Sequence, residues 1–185
     1  MHMERFLTDI KKQFSYYKLL ADKAMEQIND EEFYHQSDES LNSIAIIVKH
    51  MSGNLLSRFT QFRTTDGEKS WRNRDQEFII QSNVRADLME IWDKAWTVLF
   101  MALDELKEED MDATITIRQQ SQNISSALIR SVTHASHHIG QILLLAKAFR
   151  KEEWISLSIP KGKSAEFNAS IDKEETPDHY TDKLL

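Results

Sequence analysis

The sequence has 185 residues, 41% of them hydrophobic and 29% charged, with 30 acidic against 23 basic residues and a formal net charge of -7. Such a chain makes one globular domain large enough to bury a core, and its acidic balance argues against nucleic-acid binding, which needs a basic face. It contains no cysteine, which excludes disulfides, thiolate zinc sites, iron-sulfur clusters and a cysteine nucleophile; any metal must be held by imidazole, carboxylate or carbonyl groups.

No apolar run approaches the roughly 18 residues of a membrane span, and Met1 to Gln13 lacks the apolar stretch of a signal peptide. The expectation is a cytoplasmic protein with no membrane partner. Only 4 Gly and 2 Pro interrupt the chain, so long helical periodicities run unbroken and an all-α four-helix bundle is expected.

The first helix is expected from about Glu4 to Ile28, with Ile10, Phe14, Tyr17, Ala21, Ala24 and Ile28 spaced four and three apart as one apolar stripe. The second starts after Ser43, a side chain suited to capping, carries Ile44, Ile47, Val48, Met51 and Leu55, and ends near Thr64. Between it and the third lies a long ordered connection, Thr65 to Gln81, with a turn signal at Asp66-Gly67 followed by aromatics and charges of both signs. The third helix opens at Ser82 or Asn83 and aligns Val84, Leu88, Ile91, Ala95, Val98, Ala102 and Leu106. The alternation of Thr and Ile in 113–118 suits a short extended piece or hairpin arm. The fourth helix runs from about Asn123 to Phe149, with Ile124, Ala127, Leu128, Ala135, Ile142, Leu145 and Ala146 inward. Residues 1–159 thus form the bundle. Residues 160–185 form a polar extension that lies on the surface or crosses to a neighbouring subunit.

The informative residues are histidines. Of the 7 present, His2, His35 and His179 lie in terminal or polar segments without evident constraint. His134 and His138 are four apart on the fourth helix, so both imidazoles stand on one face and can chelate one ion. By spacing alone, histidines on a mixed helix face are more often hydrogen-bonded core or surface residues than metal ligands. A catalytic zinc takes three protein ligands and keeps an open position. His50 is the best third ligand, at the edge of the second helix's apolar face, where Gly53 leaves space one turn on. His137 points about 100° away from His138 and is an outer neighbour or unrelated. Asn54 and Gln141 are placed to approach as oxygen donors or to hold an imidazole in its tautomer. Arg58, Arg63, Arg72 and Arg74 can meet an anionic ligand, with ion pairing to Asp66, Glu68, Asp75 and Glu77 as the default. Neither a Gly-x-Ser-x-Gly elbow nor a phosphate-binding glycine loop is present, and Lys161-Gly162-Lys163-Ser164 lacks the preceding strand.

The pair His134-x-x-x-His138 followed by Gly140-Gln141, after a helix bearing His50 and Asn54, resembles the ligand pattern of the DinB-like superfamily of metalloenzymes. The likeness extends over nearly the whole chain. It is nearest to a bacterial branch that shares Asp66-Gly67-Glu68, Trp71-Arg72-x-Arg74-Asp75 and Ser158-Ile159-Pro160-Lys161-Gly162. The resemblance implies a divalent ion, zinc or nickel, held by His50, His134 and His138 inside a four-helix bundle. Some members of the superfamily are transferases or isomerases dependent on mycothiol, glutathione or bacillithiol. The resemblance therefore implies S-transfer with a low-molecular-weight thiol, or hydrolysis, at the open position. The competing class is a non-catalytic stress-response or interaction module whose ion is structural or vestigial. Aromatics around Trp71 and Trp154 are candidates for a homodimer contact, compatible with either class.

Overall fold

The computed structural model describes residues 5–170 and residue 181. His2 and His179 lie outside the described residues, as does most of the expected extension beyond its first residues. The protein is mostly helical, with six α-helices among the described residues and one two-stranded sheet. The long helices are α1 (Phe6–Met25), α3 (Ile44–Phe59), α4 (Arg85–Asp104) and α5 (Ile124–Arg150), joined by the shorter α2 (Asp30–Tyr34) and followed by α6 (Ser164–Ser170). Strands β1 (Thr114–Ile117) and β2 (Gln120–Asn123) form the hairpin before α5.

Side-chain caps set the starts of α3 and α5. The Ser43 hydroxyl accepts from the Ile46 amide at 3.2 Å and the Asn123 side chain from the Ser126 amide at 2.9 Å, capping α3 and α5. α3 stops at Phe59, short of the expected Thr64, and positive φ at Gln61 marks the turn that follows. α2 was not expected. It is one turn nucleated by a capping box between Asn29 and Glu32, and it drives Phe33 into the core.

α3 packs along α4 and α1 along α5, and the pairs meet through α3 against α5 and α1 against α4. The α1 stripe is buried as expected, with Tyr17 only partly covered. On α4 the buried face is rotated from the expected one: Val84 and Ile91 are 51% and 43% exposed. The seam runs through Leu88, Trp92, Ala95, Leu99, Ala102 and Leu106, with Trp96 and Leu103 beside it. The two indoles decide that rotation, because each removes far more apolar area from water than a Val or an Ile. Trp92 and Trp96 lie 5.3 Å apart edge to face, and Phe14 meets Trp96 at 6.2 Å in the same manner.

The hairpin pairs Thr114 with Asn123 and Ile117 with Gln120. It leaves Arg118 and Gln119 as the two turn residues, with φ of 54° and 62°. A left-handed conformation costs a non-glycine residue about 1–2 kcal/mol. Asp66 offsets that cost. Its carboxylate accepts from the amides of Arg118, at 2.8 Å, and Gln119, at 2.7 Å, as well as from the Glu68 amide. Gly67 donates to the Thr116 carbonyl at 2.8 Å, and a Cβ there would stand 2.8 Å from Ile117, so only glycine allows the contact. The long connection is therefore clamped between α3 and the hairpin.

A candidate metal centre between two helices

His50 on α3 is buried, and His134 and His138 on α5 are partly buried. The structure brings the three together, with one nitrogen from each lying within 4.8 Å of the others. His50 Nε2 and His134 Nε2 are 3.4 Å apart. Metal–nitrogen bonds of about 2.0–2.1 Å in a tetrahedral shell put ligand nitrogens about 3.3–3.4 Å apart, so this separation suits one ion between them. The three histidines can hold a metal ion.

Two of the rings are held in the tautomer a metal needs. His50 Nδ1 donates to Glu77 Oε2 at 2.9 Å, and His138 Nδ1 donates to the Gln141 side-chain oxygen at 2.8 Å. With the proton on Nδ1, the Nε2 lone pair of each ring is free for an ion. Phe78 stacks on His50 at 4.8 Å and fixes the plane of its ring.

Glu77 is supplied by a 3-10 turn, Asp75–Phe78, inside the long connection. Arg72 binds its two oxygens through Nε at 2.7 Å and a terminal nitrogen at 3.0 Å. Burial works to raise the Glu77 carboxyl's pKa, but the hydrogen bonds from His50 and Arg72 prevail and hold it below the usual range. The space for this carboxylate comes from Gly53, where a Cβ would lie 2.3 Å from Glu77 Oε1. Gly53 thus makes room for the partner of His50 rather than for the imidazole itself.

Burial, reinforced by the charges of His138 and His50, pushes His134 down to about 3. His138 is also lowered by burial, only partly opposed by its bond to Gln141. A neutral imidazole at ordinary pH is the form that binds a metal.

His137 is exposed and its ring lies 6.2 Å from that of His138, outside the cluster. Asn54 lines the adjoining cavity without bonding a histidine, whereas the Gln141 side-chain oxygen bonds His138 Nδ1. His35 packs edge-on against Phe149. The ion pairs are largely those expected, with Arg58 on Glu68 and Arg72 on Glu68 and Glu77, while Arg63 finds Asp110 instead. Sequence reasoning treated Glu77 as an ordinary ion-pair partner and missed its bond to His50. The available signal was a helix-interior glycine within one turn of a candidate ligand, since Gly costs about 1 kcal/mol against Ala there.

A mostly helical protein with a three-histidine cluster capable of holding a metal is the class these features define. The chain belongs to the family described as "Protein of unknown function (DUF1572)", whose model matches residues 2–163. No curated protein and no solved structure matches it. Among the described residues no helix is long and apolar enough to cross a membrane.

Proposed function

We propose that the protein is a divalent-metal-dependent enzyme, a four-helix bundle of the DinB-like kind, with His50, His134 and His138 as its metal ligands. The observation that carries this reading is the convergence of three imidazoles, two of them held with Nε2 free by Glu77 and Gln141. Three neutral nitrogen donors suit zinc, nickel or another late divalent ion. Such an ion, when bound, would act as a Lewis acid on a ligand at its open position and lower that ligand's pKa.

The protein's own residues do the rest of the work. Glu77, anchored by Arg72, keeps the His50 proton on Nδ1 and balances positive charge near the site. Asn54 and Ser131 face the cavity beside His134 and supply neutral polar contacts to a substrate. A chain without cysteine brings no thiol of its own, so S-transfer would use a low-molecular-weight thiol from solution; hydrolysis would use water at the same position. A homodimer is part of the proposal, with Trp71, 58% exposed, as one candidate contact.

The test is metal content by elemental analysis of untagged protein, comparing the parent with His50→Ala, His134→Ala and His138→Ala. Near-stoichiometric metal in the parent and its loss in all three is the expected result. A parent that takes up no zinc, nickel or manganese on incubation would return the protein to the non-catalytic class. A panel of low-molecular-weight thiols giving no transfer above the metal-free control would remove the transferase version and leave the hydrolase.

A further inference from the structure

Next to His50 and His134 lies a cavity of about 170 Å³ whose wall includes five arginines: Arg58, Arg72, Arg74, Arg118 and Arg130. This concentration runs against a net charge of -7 for the whole chain. Among the described residues two carboxylates answer it. Glu68 is shared among Arg58, Arg72 and Arg118, and Glu77 is taken by Arg72 and His50. Among the described residues Arg74 and Arg130 have no carboxylate partner, and Arg74 is instead held over the Phe78 ring at 5.0 Å. Elsewhere Arg63, Arg85 and Arg150 each find an acid.

The placement is ordered along both helices. Arg130, His134 and His138 occupy successive turns of one face of α5, and His50, Asn54 and Arg58 occupy successive turns of α3. His50 adjoins both α5 histidines, so moving toward the C-terminus of α3 or the N-terminus of α5 leads from the histidines to the arginines. The spacing is about 5 Å per turn. The third wall is the hairpin turn, where Arg118 stands at a φ that favours glycine and is held there by Asp66. Turns of this kind ordinarily use Asn-Gly, so an arginine in the first turn position places a guanidinium on the cavity at the expense of the easier backbone.

We propose that this cavity binds a small oxyanion-bearing substrate, its carboxylate or phosphate held by Arg74, Arg118 and Arg130 about one helical turn from the group that meets the ion. This rests on the three-histidine metal reading for the second half of the statement, but not for the anion itself. Guanidinium forks match carboxylate and phosphate oxygens in pairs. A cavity of about 150 Å³ holds a molecule the size of benzene, so the volume suits a compact ligand with few atoms.

The test is isothermal titration of the full chain, zinc-loaded and metal-free, with inorganic phosphate, acetate and the neutral isostere acetamide. The parent, Arg74→Gln/Arg130→Gln and His134→Ala are compared, with zinc uptake measured in parallel. The expected result is binding of phosphate or acetate but not acetamide, weakened at least tenfold in the double arginine variant while its zinc uptake equals the parent's. Whichever anion binds more tightly identifies the substrate's charged group. Anion binding that depends on the arginines in a protein that takes up no zinc supports the oxyanion site and overturns the metal reading alone. Equal affinity of parent and double variant for the anions, acetamide binding as tightly as acetate, or no anion binding by the parent overturns the proposal. Both substituted arginines are exposed, and the thermal unfolding midpoint of the variant checks that its fold is intact.

Discussion

At the scale of single residues, the histidine cluster is oriented by groups around it, with Glu77 on His50 and Gln141 on His138. Glu77→Gln preserves shape but weakens the acceptor of the His50 proton. Losing such an outer partner typically costs about 10–100-fold in metal affinity, and competition titration with a chelating dye measures it; affinity equal to the parent's would separate Glu77 from the site. Glu77→Ala goes further, leaving Arg72, whose side chain is 2% exposed, with only its longer contact to Glu68 at 3.4 Å. Breaking a buried pair from one side costs about 3–5 kcal/mol, readable by urea unfolding. Gly53→Ala discriminates differently. In an ordinary helix interior it stabilises by about 1 kcal/mol, yet here the new Cβ collides with a carboxylate that Arg72 pins in place. The expected outcome is a net loss of stability together with weaker metal binding. A more stable variant with unchanged affinity would mean that Glu77 yields freely.

At the scale of elements, the hairpin and the long connection form one unit through Asp66. Three backbone amides converge on its carboxylate, two of them from the left-handed turn. These amide bonds hold the Asp66 pKa below the usual carboxylate range. Asp66→Ala should therefore loosen the turn at Arg118 and Gln119 without melting the helices. Amide hydrogen exchange should accelerate at residues 114–123 and stay slow in the cores of α3 and α5; unchanged protection in the hairpin would show that the strand pairing alone holds the turn. The same element shows why the sequence was only partly legible here. Alternating Thr and Ile announced an extended arm, but no local signal said that the arm would meet a loop about fifty residues earlier, since the closing contact is a side chain to distant amides.

For the whole molecule, the titration of His134 links the site to folding. Its neutral form is held in the folded state down to about 3, whereas an unfolded chain takes up the proton near the ordinary value of 6.5. Between those values the unfolded state binds more protons, so the His134 contribution to the stability of the metal-free protein is full above about 6.5 and is lost as pH drops toward 3. His134→Asn should flatten that part of the profile relative to the parent in thermal unfolding at stepped pH, and parallel curves for the two proteins would contradict the assignment. Metal binding should likewise persist below the pH at which a free histidine protonates, because fewer protons compete for the depressed nitrogens. Zinc uptake measured from pH 7 downward reads this directly.

The helical class, the cap at Ser43, the α1 stripe and the shared face of His134 and His138 are consequences of composition and spacing, because periodicity and capping are local and a pair four apart shares a face in any helix. Tertiary packing decided the rest. It chose which of two adjacent stripes of α4 faces inward, since burying two indoles outweighs covering Val84 and Ile91. It brought α3 against α5, so that His50 meets residues more than eighty positions away, and folded the connection back until Glu77 filled the space above Gly53. Those choices depend on the shapes of surfaces that exist only once the helices have met, which is why they could not be read from neighbours along the chain.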